Sequence, residues 1–524
     1  MSRFSPSHWF SSVQKQSFAI SFSAFMALLL TIALGCLLLI IVSRGATYFW
    51  PATIFKGEFR LSDESAPVKA YMQIRNEFSR SGSEVIWFKY SNRDFPYGNQ
   101  AMLEATQISG LQAADDGALI TLTDGRTVLA EPLSLQSAER EERALEDYSL
   151  MQEEVQRITN QIEVIRTERL SDIHQQLSEL DMRNVAADAP ARIRLSRDFN
   201  KWQGLISELE IQRNQYRLTV AFADGERFDL ALGDIDEIVR SGRLSYWQKW
   251  QATLTAIGRF LTEAPKQANT AGGVFPALFG TVLMVFVMTL IVTPFGVMAA
   301  VYLSEYAPNN ALTSVIRISV SNMAGVPSIV YGVFGLGFFV YAVGGNIDTL
   351  FFSHKLPAPT MGTPGLFWAS LTMAILTLPV VIVATEEGLR RVPEGLKAGS
   401  YALGATKAET VMRTILPIAS PGIMTGVILA IARAAGEVAP LMLVGAVKFA
   451  PNLPIDGEFP YLHLDRQFMH LGVLIYDGAF HSQTDVKGSS MMFATCLLLL
   501  LVVFILNLLA VVMRMRLRKK YQQG

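Results

Sequence analysis

Two residues stand out for their chemistry, Arg433 and Glu437. They lie in the stretch 422–447, GIMTGVILAIARAAGEVAPLMLVGAV, which is otherwise almost wholly apolar or small. A charge at membrane depth costs about 2.5–3.5 kcal/mol by insertion measurements, so it is retained for a reason. A spacing of four predicts that the two share one helix face and pair. Arginine presents a planar fork of N–H donors that matches an oxyanion. A carboxylate beside it would hold the guanidinium in place and moderate its charge, so that an anion binds and can still leave. Ala432, Ala434, Ala435 and Gly436 would let neighbouring helices approach closely. Pro440 would loosen the backbone just beyond them. The competing reading is an ion pair that only fixes helix packing, which is a costly way to pack helices. Apart from this pair, no intramembrane cluster of acid, base or nucleophile stands out. The expected role is therefore a transport subunit and not an enzyme.

The second stretch of note precedes the first. Residues 386–417 read EEGLRRVPEGLKAGSYALGATKAETVMRTILP, too charged to span a bilayer and too apolar to be an unstructured loop. Leu389, Leu396, Tyr401 and Leu403 suggest short helical pieces, broken at Pro393 and Gly404. The expectation is a short helix lying flat at the membrane face and presented to a cytosolic partner. A passive amphipathic loop is the alternative.

The elements that must position these residues follow from composition. Half of the 524 residues are apolar and only 17% are charged, where a soluble protein carries about 25%. The formal net charge of −1 suggests no nucleic-acid partner. Six apolar runs are long enough for a bilayer, which takes about 20 residues. Their approximate limits are Ala19–Val42, Val274–Leu303, Val315–Val343, Leu366–Thr385, Gly422–Val447 and Met491–Met513. The interiors of the other five carry no ionisable residue, apart from Arg317 near one end of the third. Cys36 and Cys496 both sit inside apolar runs and read as small apolar residues facing lipid or core. No Cys/His cluster has metal-ligand spacing, and no G-x-x-x-x-G-K-[ST] phosphate loop occurs.

Orientation is read from Lys and Arg beside the spans. The tail carries Arg514, Arg516, Arg518, Lys519 and Lys520 with no acid, and 386–417 carries Arg390, Arg391, Lys397, Lys407 and Arg413. The loop 450–489 has Asp456, Glu458, Asp465, Asp477 and Asp485 against Arg466 and Lys487. With six spans this puts both termini and the 386–417 segment in the cytoplasm, and the stretch 44–265 outside. Arg3 and Lys15 precede an apolar run of about 25 residues, too long for the core of a cleaved signal, so an uncleaved signal anchor is expected.

The outer stretch has its own pattern. Val85–Tyr90 and Ala118–Thr123 read as strands, and Asp124-Gly125 before Thr127–Ala130 is a type I′ hairpin signal. The same design recurs at Leu218–Ala223, Asp224-Gly225 and Arg227–Leu232. Between the two, Tyr148, Met151, Val155, Ile158, Ile162 and Ile165 form a heptad seam. It resumes one residue out of step at Leu170, Ile173, Leu177 and Leu180. A break at Asp188-Ala-Pro190 precedes a second helix carrying Leu195, Phe199, Trp202, Ile206 and Leu209. These predict an antiparallel helical hairpin or coiled coil at about 135–216 on a small β base. Its first helix would run ~40 residues, or ~60 Å. His174 stands alone on a polar face and reads as solvated. The hairpin is either a self-packed arm or a docking surface for a partner outside the cytoplasm.

The C-terminal half also resembles a known family. Gly404, nine residues, Thr414, one residue and then Leu416-Pro417 has the spacing of the EAA loop of bacterial ABC-importer permeases. Tyr401-Ala-Leu-Gly-Ala-Thr-Lys407, Pro421-Gly-Ile-Met-Thr-Gly426 and Ala432-Arg-Ala-Ala-Gly-Glu-Val-Ala-Pro-Leu441 are similar to PstA-type permeases of phosphate importers. Pro327-Ser328-Ile-Val-Tyr-Gly332 is similar to a second marker of that family. The resemblance covers about 250 residues from Val274 onward, and the first span by topology. It implies an all-α permease core of six transmembrane helices, here with an α+β insert, that moves phosphate across the inner membrane by alternating access. It further implies a homologous second permease (PstC-like), an ATPase dimer (PstB-like) holding ATP and Mg²⁺, and a periplasmic phosphate-binding protein (PstS-like). No cofactor or metal on this chain is implied. By the same resemblance Arg433 and Glu437 meet the substrate. Tyr401, Gly404, Ala405, Leu416 and Pro417, in a coupling segment 386–421, meet the ATPase. Pro327, Ser328 and Gly332 belong to the pathway or its packing. The chain departs from the family where the loop's opening Glu-Ala-Ala is Ala398-Gly399-Ser400, and where Val383 replaces a frequent arginine. On this basis the expected organisation is a first span within 1–43, an insert over 44–265 and a permease core over 266–524. The rivals are a permease for sulfate, molybdate or phosphonate, and a membrane sensor using the insert as its receptor head.

Overall fold

A computed structural model describes residues 12–522, except for 62–65, 81–82, 138–141, 144, 183–184, 187–188, 243, 267–270, 354–356, 458–460 and 482–485. Arg3, Asp188, Glu458 and Asp485, used above, lie outside the described residues. The chain divides into two compact units, one of residues 1–49 with 257–524 and one of residues 50–256.

The first unit is helical. Among the described residues six helices are long and apolar enough to cross a membrane: Gln16–Thr47, Phe275–Tyr306, Ser328–Phe351, Leu366–Arg390, Lys407–Gly436 and Met491–Arg516. Helices suit this role because every backbone N–H and C=O is satisfied within the segment. In sequence order the elements are α1 (Ser12–Thr47), and, after the second unit, α6 (Phe275–Val301), α7 (Ala311–Met323), α8 (Ser328–Phe334), α9 (Gly345–Phe351) and α10 (Leu366–Arg390). Then come α11 (Glu394–Ala402), α12 (Lys407–Thr410), α13 (Leu416–Gly436), α14 (Ala439–Val444), α15 (Leu471–His481) and α16 (Val486–Gln522). The core is where α6, α10 and α13 meet, around Met284, Met288, Met373, Ala430 and Ala434.

Two spans differ from the sequence expectation, each for a proline. The third does not run Val315–Val343. The chain turns between α7 and α8, and the apolar helix begins at Ser328. Pro327 has no N–H to continue a helix and keeps Val326 out of the helical region. Arg317 therefore sits on α7, outside the span. The fifth does not run Gly422–Val447. It starts earlier, at Lys407, and stops at Gly436, with Glu437 extended at φ −81°, ψ 135°. Pro440 would clash with the carbonyl of Gly436 in a continuous helix. The acidic loop of 450–489 also holds an apolar helix, α15.

The second unit carries two antiparallel sheets. Strands β1 (Phe55–Phe59), β2 (Val68–Arg80), β3 (Ser83–Ser91), β4 (Asn99–Glu104) and β5 (Ile108–Ala113) form one, in the order β4-β3-β2-β1-β5. Phe59, Phe88 and Tyr90 make its core, with ring centroids 4.7–6.1 Å apart. The other sheet holds β6 (Ala118–Leu122), β7 (Thr127–Gln136), β8 (Glu142–Arg143), β9 (Arg217–Ala221), β10 (Arg227–Ala231) and β11 (Ile235–Val239), in the order β10-β9-β7-β6-β11 with β8 beside β7. Both Asp-Gly hairpins form, but not as type I′ turns. Leu122 and Phe222 N–H groups bond across three-residue loops to Arg126 and Glu226, and only the glycines have positive φ, +90° at Gly125 and +87° at Gly225. That is a type I turn closed by a left-handed glycine.

Between the hairpins lie α2 (Tyr148–Val164), α3 (Ser171–Met182) and α4 (Pro190–Arg213). The out-of-step seam has a local cause: residues 165–170 form a π-helical turn, which absorbs one extra residue. Among the described residues the structure shows a helical hairpin and no coiled coil. Met151, Val155, Ile158 and Ile162 share one core with Ile120, Leu135, Leu218 and Val220 of the sheet. The apolar seam is thus spent on the sheet as well as on α4. His174 is exposed at the surface but packs edge-on against Phe199, 5.4 Å between centroids. The helix α5 (Tyr246–Thr262) leads out of the unit.

Candidate functional site: an arginine at a helix end and a foot below it

The site is built on the long helix that starts at Lys407. Thr406 caps it, its hydroxyl accepting from Glu409 N–H, while Glu409 accepts in return from Thr406 N–H at 2.9 Å. Pro417 would break an ordinary helix by its clash with the fourth carbonyl before it. Here residues 411–415 form a π-helical turn, with Leu416 N–H bonded to Val411 O, and the chain passes the proline without stopping. Leu416 and Pro417, just after this widened turn, are half-buried.

At the other end of the helix, Arg433 occupies the last turn and Glu437 follows the final helical residue. Their ion pair is present at 3.6 Å. It is not the pairing of two side chains on one continuous helix face, because the helix has ended between them. Arg433 keeps 31% of its side-chain surface exposed and Glu437 23%. Among the described residues no protein group accepts a hydrogen bond from Arg433. Its N–H fork is held by one carboxylate and otherwise unspent.

The stretch 327–332 is brought to this break. Pro327 precedes the first helical residue, Ser328, and Tyr331 and Gly332 are buried in α8. Gly332 faces Pro440 so closely that a Cβ there would fall 2.7 Å from Pro440 Cα. Only a glycine permits that contact. Tyr331 lies within electrostatic reach of Arg433, and its hydroxyl donates to Met323 O at 2.8 Å, fixing the turn between α7 and α8. Tyr331 was quoted in the sequence stretch but not singled out; its contact with Arg433 depends on a fold-back that spacing does not reveal.

The foot lies at the start of the same helix. Breaks fall at Pro393, which precedes α11, and at Gly404, whose φ of +84° only glycine adopts without strain. Gly404 N–H bonds to Tyr401 O at 2.9 Å and Ala405 N–H to Ser400 O at 3.2 Å, closing the turn. Tyr401 and Gly404 are exposed, Ala405 is half-buried, and Leu403 at the tip is 91% exposed. Glu386–Arg390 is not part of the foot, since it completes α10.

Sequence reasoning missed how the foot is fastened. Lys397 Nζ donates to Glu305 at 2.7 Å, with side chains only 16% and 9% exposed. Glu386 is buried between Arg317 at 3.6 Å and Arg390 at 3.7 Å. Arg317 also donates to Leu303 O at 2.6 Å. Ser400 and Thr410 share a hydrogen bond of 2.8 Å, and Lys407 stands 4.8 Å over the Tyr306 ring. These tie α11 and α12 to the end of α6, and the end of α10 to α7. No sequence signal pairs Lys397 with Glu305, which are 92 residues apart.

Two further buried polar groups accept hydrogen bonds from backbone N–H groups. Asp348 accepts from the N–H groups of Thr360, Met361 and Gly362 at 2.7–3.0 Å and so holds that loop. His470 is fully buried, with Nδ1 accepting from Gly472 N–H at 3.1 Å; burial pushes it down to about 4, so it is neutral near pH 7. Among the described residues no group of three or more His, Cys, Asp or Glu could hold a metal ion.

Residues 292–519 match the family described as "Binding-protein-dependent transport system inner membrane component". The chain is 34% identical over 244 residues to the "Phosphate transport system permease protein PstA 1" of Mycobacterium tuberculosis (strain CDC 1551 / Oshkosh), covering 47% of this chain and 71% of the relative. It is 34% identical over 251 residues to the protein named "Phosphate transport system permease protein PstA" in Yersinia pestis, covering 48% and 75%. It is 34% identical over 203 residues to the "Probable ABC transporter permease protein YqgI" of Bacillus subtilis (strain 168), covering 39% and 63%. Such a permease is a non-catalytic transport subunit that works with an ATPase and a binding protein. The chain belongs to the binding-protein-dependent transport permeases, multi-pass membrane proteins with the ABC-importer permease fold, is homologous to PstA phosphate permeases over its C-terminal half, and carries an extra region before it.

Proposed function

We propose that this chain is a phosphate-translocating permease subunit of an ATP-driven importer. The observation that carries the reading is Arg433: a half-exposed guanidinium at the end of a broken apolar helix, paired with one carboxylate at 3.6 Å and otherwise without a protein acceptor. A tetrahedral oxyanion supplies the missing acceptors. Glu437 keeps the fork oriented and lowers the net charge, so binding is weak enough for release. The homology to phosphate permeases supports phosphate over sulfate, molybdate or phosphonate.

In this reading the chain pairs with a second, homologous permease, and the oxyanion passes between them. A pair of ATPase subunits grips the foot at Tyr401, Leu403, Gly404 and Ala405. Their ATP-driven closure moves α11 and, through the helix from Lys407, the break at Arg433, in alternating access. Leu416 and Pro417 directly follow the π turn at which this helix bends. Both termini and the foot face the cytoplasm, and a phosphate-binding protein delivers from the other side. The insert contacts the binding protein or the second permease.

The test is uptake of labelled phosphate by membranes holding the full complex. Arg433→Gln abolishes uptake while the protein remains in the membrane at normal amount. Wild-type transport by that variant overturns the assignment. Competition by sulfate, molybdate and phosphonate separates the cargoes: only unlabelled phosphate and its close analogue arsenate should reduce uptake.

A further inference from the structure

The helix α5 exposes large aromatic side chains among polar ones. Its outward positions, spaced three and four apart, carry Tyr246, Trp247, Trp250 and Leu254, with Trp247 79% and Leu254 64% exposed. Thr253, seven residues from Tyr246 and three from Trp250, is buried at the edge of this face. Trp50 joins this face, its ring 5.6 Å from Trp250 and 6.1 Å from Tyr246. Three exposed tryptophans and a tyrosine thus form one aromatic surface, a composition that favours the headgroup level of a bilayer.

Chain length says what covers this surface. Trp50 is three residues beyond Thr47, the last residue of the 32-residue apolar helix Gln16–Thr47. Three extended residues reach at most about 10 Å. At 1.5 Å per residue that helix is ~48 Å long, enough to cross hydrocarbon and headgroups of ~40–45 Å and end at the water boundary. Trp50, and with it the rings that pack on it, is therefore tethered to the membrane surface.

We propose that the face of Trp50, Tyr246, Trp247, Trp250 and Leu254 is bedded in the lipid headgroup zone as an interfacial anchor. The occupant is lipid, and not another subunit. The proposal does not depend on which substrate the permease carries.

The test uses the full complex in lipid nanodiscs. Trp247→Cys is made in a Cys36→Ala, Cys496→Ala chain and labelled with a small environment-sensitive fluorophore. Lipid brominated on the upper acyl chain should quench the label at least about twofold, and lipid brominated near the chain end should quench it less, as expected at the interface. A label at Leu205→Cys, on the helical hairpin, should be unaffected by either lipid. Leu254→Cys reads the same face if the first variant does not assemble. A label quenched by neither lipid overturns the proposal, whether water or a neighbouring subunit is found to cover it.

Discussion

Two charge clusters of the membrane unit use the same residue types to opposite effect. At the foot, Lys397 and Glu305 are nearly buried and 2.7 Å apart, and Arg317 meets both Glu386 and the Leu303 carbonyl. The Lys397 ammonium and one Arg317 N–H are taken up by protein acceptors, although Arg317 Nε, 3.6 Å from Glu386, has no hydrogen-bond partner. At the break in the fifth span, Arg433 and Glu437 are 3.6 Å apart and partly open, and the guanidinium has donors left over. The closed cluster is suited to holding elements together, the open one to holding a guest. Satisfaction of donors, not charge alone, separates structure from site.

The comparison can be broken from either side. The largest effect on transport is expected at the open pair. Arg433→Gln should lower phosphate uptake about 100-fold or more, because a charge-assisted fork is lost and not replaced. Unchanged uptake would move Arg433 into the structural class. At the closed cluster, Lys397→Met leaves Glu305 buried and unpaired, a change that destabilises by about 3–5 kcal/mol. Uptake per ATP hydrolysed should collapse, and the exchange Lys397→Glu with Glu305→Lys should restore it. Failure of the exchange, with the protein still folded by thermal unfolding, would show that the pair is not a tether. Glu437→Gln sharpens the other side. With the countercharge gone, phosphate should bind more tightly and leave more slowly, so KM and maximal rate should both fall, by about tenfold if the ion pair is worth 1.4 kcal/mol. A raised KM would contradict the moderating role. The smallest effect is expected at Gly404→Ala, which forces an alanine to φ +84° at a cost of about 1–2 kcal/mol. ATPase activity should persist while its stimulation by transport substrate drops severalfold.

Much of the scaffold was legible in the chain because it rests on local properties. An apolar run of span length declares itself without reference to any partner, and six such runs became six candidate spans. Pro393 and Gly404 marked the ends of α11 for reasons internal to each residue. The slip in the heptad seam became a π turn at residues 165–170. The failures have local causes too, read with the wrong weight. Pro440 reads in sequence as loosening a helix and Pro327 as part of a family marker inside a span, yet each sets a helix boundary. The Asp-Gly turns formed, but with three-residue loops whose type only backbone angles reveal. The seam of α2 suggested a coiled coil because periodicity gives a helix's apolar face, not the surface that covers it.

The sequence by itself determined that this is a multi-pass membrane chain with an arginine and a glutamate stranded in an apolar segment, since hydropathy and charge are properties of each residue and its near neighbours. Tertiary structure decided which charges are spent and which are free. Lys397 finds Glu305 across 92 residues, Arg317 finds Glu386, and Arg433 finds only Glu437 and the vicinity of Tyr331. Whether a donor is satisfied depends on what the fold places within about 3 Å of it. That proximity is a property of packing, and no spacing along the chain encodes it.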